Sequence, residues 1–90
     1  MILSHAAWEF AGTFLLVFVI FAIGYSVAVG ATLAGIVYFL SNRSGGHVNP
    51  AVSLAVWLRG DLPTDSFVSY VVAQIGGAVA AFGAAYALRV

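Results

Sequence analysis

Two long uncharged stretches organise the chain. Residues 10–42 and 66–88 contain no Asp, Glu, Lys or Arg. A membrane-crossing helix takes roughly 20 apolar residues, so residues 66–88 read as one span. Residues 10–42 as a single helix would reach about 50 Å, against a hydrocarbon core of ~30 Å. The stretch must therefore turn, and Gly24-Tyr25-Ser26, a glycine beside polar groups, is the expected corner. The pattern predicts spans over about residues 5–24, 26–42 and 66–88, the first two joined by a very tight hairpin.

The segment between the second and third spans has a different texture. Ser44-Gly45-Gly46-His47-Val48 is glycine-rich and poorly suited to continuing a helix. Asn49-Pro50-Ala51 then opens the apolar run Val52–Leu58. Asn is a favoured N-cap and Pro is favoured at the first helical position. Arg59 and Gly60 suit a helix end. A short helix is expected from about Pro50 to Leu58, ~15 Å long, or half a bilayer. Extended, the Ser41–Val48 connection would span ~25 Å, enough to reach the membrane midplane. Residues 43–59 thus read as a re-entrant loop and half-helix. The alternative is a helix lying flat in the interface, which Ala51, Ala55 and Leu58 disfavour by leaving almost no polar face.

Composition narrows the class. Apolar residues make up 63% of the 90 positions and charged residues 7%, three basic and three acidic. Soluble domains carry about a quarter charged residues. The expected class is an all-α integral membrane protein, multi-pass, with the lipid bilayer as its surroundings. There is no basic footprint for nucleic acid and no cysteine framework. Two histidines make no metal set, so no metal or other cofactor is expected. No nucleophile–base pair suggests an enzyme. The N-terminus lacks the basic region of a cleavable signal peptide.

Irregular backbone at membrane depth persists only where protein buries it or it lines a watery cavity. A half-helix whose N-terminus lies at the midplane points a positive dipole end there. The carbonyls of Gly45, Gly46, His47 and Val48 would supply acceptors along the approach, and Asn49 a donor. Those groups suit a file of water or of a polyol, and the dipole opposes cations and protons.

Three blocks of the chain resemble the N-terminal half of the aquaporin and glycerol facilitator family, the major intrinsic proteins. Glu9-Phe10-Ala11-Gly12-Thr13-Phe14-Leu15-Leu16-Val17-Phe18 is similar to the family's first helix. Ser44-Gly45-Gly46-His47-Val48-Asn49-Pro50-Ala51-Val52-Ser53 is similar to its first pore loop, and Tyr70-Val71-Val72-Ala73-Gln74-Ile75-Gly76-Gly77-Ala78 to its third helix. The resemblance implies one inverted repeat of the aquaporin fold: three transmembrane helices plus one re-entrant half-helix. It places Asn49, Pro50 and Ala51 at the pore centre and Gly45–Val48 along its lining. Val29 and Val52 fall at selectivity positions, without the arginine usual in the second half. The chain departs from the family in holding a single Asn-Pro-Ala motif and a short connection between its first two spans.

The remaining polar groups fit that frame. By resemblance, Glu9 is a buried acceptor for pore-loop backbone; a proton-carrying Glu9 is the sharper alternative. His47 is either a loop brace or a pore-lining donor, and the resemblance favours the pore. Gln74 is expected to serve buried loop backbone. Gly76, Ala80 and Ala84 form one row of small residues and Gly77, Ala81 and Ala85 another, which suits assembly. Trp8, Trp57, Tyr70 and Tyr86 are candidate interface anchors.

The expected function is a passive channel for water and small neutral solutes such as glycerol. One half-helix needs a second, so an antiparallel homodimer is expected, and a tetramer of such dimers by family likeness. Arg43 and Arg59 fall on one side of the membrane and Arg89 on the other, a weak bias compatible with insertion both ways round. Two alternatives stand beside this: a small dual-topology transporter coupling export to protons through Glu9, and a non-conducting piece of a longer channel.

Overall fold

The computed structural model describes residues 2–90, and these are all-helical. They form α1 (Ile2–Ala22), α2 (Ser26–Leu40), α3 (Pro50–Leu58) and α4 (Thr64–Leu88). The 21 residues of α1 and the 25 of α4 give helices of about 32 and 38 Å. Both are long and apolar enough to cross a membrane. With 15 residues, α2 is only about 23 Å long.

The helix ends follow local chemistry. Gly24 adopts φ +79°, and the N–H groups of Ile23 and Gly24 both return to the Val19 carbonyl. That closes α1 at Ala22, two residues before the expected end at 24. Tyr25, extended at φ −84° and ψ 151°, starts α2. The expected end of the second span at 42 is likewise early: the chain leaves α2 at Leu40, whose carbonyl accepts from Arg43 and Gly45 N–H. Pro63 precedes α4 with φ −61°, so that helix begins at Thr64 rather than 66. Asp65 in its first turn complements the helix dipole.

Parallel packing of α1 on α4 forms the main seam, with Glu9 meeting Gln74 and Phe14 meeting Gly77 further along both helices. A Cβ at Gly77 would lie 2.5 Å from the Phe10 carbonyl oxygen and 3.1 Å from the Phe14 nitrogen. The helix backbones therefore approach as closely as a glycine permits. Ala81 and Ala85 continue the row and are buried. The Gly77 row, expected to serve assembly, is thus consumed within the chain, while Gly76 meets the Phe10 ring. A smaller core lies between α1 and α2, where Ile36, Leu40 and Val48 pack with Leu16.

Gly77 and Gly83 sit on the same helix in opposite circumstances, since a Cβ at Gly83 meets nothing within 4 Å. Gly77→Ala is expected to destabilise the fold by about 1–3 kcal/mol through overpacking. Gly83→Ala should be neutral or stabilising by up to ~1 kcal/mol. Thermal unfolding in detergent, followed by circular dichroism, checks the pair.

Candidate functional site

The loop between α2 and α3 is built around one carboxylate. Glu9, on α1, is 0% exposed. Its Oε2 accepts from Ser44 Oγ at 2.6 Å and from His47 N–H at 3.0 Å. Its Oε1 accepts from Val48 N–H at 2.7 Å and Gln74 Nε2 at 2.9 Å. Four donors thus converge on a charge that would otherwise be costly to bury.

The backbone is folded back to reach it. An extended approach to the half-helix was the expectation, but Gly45, Gly46 and Val48 have φ of 96°, 66° and 45°. Left-handed backbone shortens the path, and the N–H groups of His47 and Val48 both reach the Glu9 carboxylate. For a β-branched residue such as Val48 this conformation is strained, by about 1–3 kcal/mol. Its side chain compensates by filling a notch over Gly12, where a Cβ would lie 2.7 Å from Val48 Cγ1. Gly46 is pressed against α2, its Cβ direction ending 3.0 Å from the Val37 Cα.

A second layer of hydroxyls braces the loop from α3 and α4. Tyr70 OH donates to the Ser44 carbonyl. Gln74 Nε2 donates also to Ser53 Oγ at 2.9 Å, and Ser53 Oγ lies 2.8 Å from His47 Nδ1. Ser53 is 0% exposed. The Ser53 hydroxyl and His47 Nδ1 share one hydrogen bond, whose direction follows the tautomer of the ring. The His47 ring tilts against Tyr70 with centroids 5.0 Å apart.

With the N–H groups turned inward, the other side of the loop is left open. None of the Gly45, Gly46, His47 or Val48 carbonyls accepts a hydrogen bond from a described residue. Asn49 ends the loop in extended geometry, its Oδ1 accepting from Ala51 N–H at 2.8 Å. Asn49, Pro50 and Ala51 are exposed, as is Val52. The positive end of α3 therefore faces outward beside four free acceptors.

The predicted residues divide accordingly. Glu9 and Gln74 (1% exposed) join the loop as buried polar groups, although Gln74 reaches the Glu9 and Ser53 side chains rather than backbone. The Val48 and Gly46 positions are buried, so only their carbonyls are free to line a path. Val29 is half-buried on α2 and has no part in the loop's bonds. Tyr70 is 3% exposed and serves the loop, not the interface. Trp57 stacks on Phe67 at 4.7 Å and donates to Thr64 Oγ1. Ser44, Ser53, Gly12 and Tyr70 carry roles that motif reading missed; the nearness of Ser53 to His47 in sequence was the one available signal.

Comparison with known proteins gives a consistent picture. The family model described as "Major intrinsic protein" matches residues 23–90. Aquaporin Z of Brucella melitensis biotype 1 is 38% identical over 96% of this chain and 44% of its own length. Aquaporin Z of Photorhabdus laumondii subsp. laumondii is 33% identical with the same coverage. The chain therefore spans less than half the length of these curated relatives. No solved structure matches.

Glu9→Gln replaces one acceptor oxygen with an amide facing donors, leaving at least one loop N–H unpaired. Its expected cost is about 3 kcal/mol, the upper range for a hydrogen bond to a charged group. Hydrogen exchange should show the His47 and Val48 amides losing protection well ahead of those in the α1–α4 seam.

Proposed function

The chain belongs to the major intrinsic protein family, and from that membership we propose a passive transmembrane channel for water and small neutral solutes such as glycerol. Membership also makes it an integral membrane protein, in agreement with its two long apolar helices. The observation that carries the channel reading is the row of four carbonyls, without a hydrogen-bond donor among the described residues, that runs into the N-terminus of α3. Acceptors along a path with Asn49 at its end would replace a solute's hydration shell step by step. The helix dipole beside Asn49 repels cations and hydrated protons.

In this reading α3 is a half-helix whose N-terminus reaches the midplane through the loop after α2. Asn49, Pro50 and Ala51 are exposed, and a polar helix end cannot face hydrocarbon. A second half-helix must meet it. We assign that role to a second copy, antiparallel, with the two Asn49-Pro50 ends packed across a two-fold axis in the membrane plane. The dimer is the unit the pore needs; by family likeness four such dimers group together, which the mass of the assembly checks. Val29 and Val52 from each copy would form an apolar constriction without a cation, wide enough for glycerol.

Proton coupling through Glu9 is less well supported, because its carboxylate is fully buried and each of its oxygens is taken by two donors.

Reconstituted in liposomes, the purified chain should pass both water and glycerol down their gradients without proton flux. Val52→Trp, at an exposed position on α3, should remove most glycerol flux and less of the water flux. Flux that excludes glycerol in the unmodified chain contradicts the solute assignment. A monomer without flux, or flux that requires a different polypeptide, contradicts the homodimer. Tags at the C-terminus should be reached from both sides of the membrane; labelling from one side only removes the antiparallel arrangement.

A further inference from the structure

The hydrogen bond between His47 Nδ1 and Ser53 Oγ can run in either direction, and the groups behind it decide which. Glu9 sets the first step. Its carboxylate takes Gln74 Nε2 at 2.9 Å, and Gln74 Oε1 is left buried with no partner. The reverse amide orientation would set two acceptors against each other. The same Nε2 donates to Ser53 Oγ at 2.9 Å. Ser53 is 0% exposed, and among the described residues its hydroxyl proton has one acceptor, His47 Nδ1 at 2.8 Å. A ring with hydrogen on Nδ1 would give Ser53 Oγ two donors and strand that proton in the interior, which is costly. Donor counting therefore favours Ser53 donating to Nδ1, with the ring hydrogen on Nε2.

The other ring nitrogen is placed differently. Nε2 has no hydrogen-bond partner among the described residues, and the buried atoms that lack one are Thr13 Oγ1 and Gln74 Oε1. Nε2 is therefore accessible from outside the protein. A Cβ at Gly45 would lie 3.3 Å from it. Gly45 is exposed, and its carbonyl is the first of the four that accept no bond from a described residue. The half-buried ring thus runs from the Glu9 network to the head of the acceptor row, its plane held against Tyr70.

We propose that Ser53 is a positioning residue for solute recognition. Oriented by Gln74, it holds His47 in the Nε2–H form and so sets one donor beside the first acceptors of the path; the proposal rests on the channel reading. A hydroxyl group suits that pairing, accepting from Nε2–H and donating to a carbonyl of the row. Water and polyols carry such groups. A cation that can only donate, such as ammonium, meets the N–H without a lone pair to offer it.

Solid-state NMR of the full chain in lipid bilayers, isotopically labelled at the histidine nitrogens, reads the ring directly at a pH where it is neutral. A His5→Asn background leaves His47 as the one histidine. The expected result is a protonated Nε2 and an unprotonated Nδ1 carrying the shift of a hydrogen-bonded acceptor. Ser53→Ala should move the Nδ1 signal to that of a free imidazole nitrogen, and Ser53→Thr, which keeps the hydroxyl, should retain the bonded shift. In liposomes Ser53→Ala should lower glycerol flux about fivefold, the worth of one hydrogen bond, with helicity unchanged, and Ser53→Thr should keep most of it. Hydrogen on Nδ1 in the unmodified chain overturns the proposal. So does an Nδ1 signal, or a glycerol flux, that Ser53→Ala leaves in place. A chain with the expected ring signals but no flux of its own contradicts the channel reading and upholds the Ser53–His47 arrangement.

Discussion

Four hydrogen-bond donors meet at the Glu9 carboxylate, and their convergence decides which way the loop between α2 and α3 faces. A buried carboxylate without such donors would cost several kcal/mol. With them, it holds the N–H groups of His47 and Val48, while the carbonyls of the same stretch accept no hydrogen bond from a described residue. One constraint therefore makes both the anchor and the open row of acceptors. It also fixes where α3 begins, because Val48 leads directly into the Asn49 cap.

The constraint has a steric half. Val48 occupies a left-handed conformation that its branched side chain resists. It does so because its side chain drops into the space over Gly12, between Ile36 and Leu40. The loop is pinned by packing on one side and by Glu9 on the other. The α1–α4 seam, close at Gly77, brings Gln74 and Tyr70 to the same place. Glycine at 12 and at 77 thus sets how near α1 can come to the loop and to α4.

Much of this could be read from residues alone. The Asn49-Pro50 start and the Arg59-Gly60 end of α3 are local signals, and the helix has the bounds they imply. Glu9 stood out because it is a charge within an apolar run. The corner at Gly24 followed from length and a glycine. The strained turn at Val48 was not legible, because nothing in the neighbouring residues favours it; the notch that stabilises it lies on α1, distant in sequence. The roles of Ser44, Ser53 and Tyr70 were hidden for a related reason. Hydroxyls are common, and only the folded chain shows which ones face a histidine, an amide or a carbonyl. The row of small residues on α4 was visible, but whether it served this chain or another depended on where α1 packed.

The central claim is that the outward carbonyls of Gly45, Gly46, His47 and Val48 line a solute path that ends at Asn49. A high-resolution density map of the membrane-reconstituted assembly tests this most directly. Ordered waters in single file within hydrogen-bond distance of those four carbonyls, continuing to the Asn49 amide, are the expected result. Protein donors or lipid chains packed against the same carbonyls would contradict it.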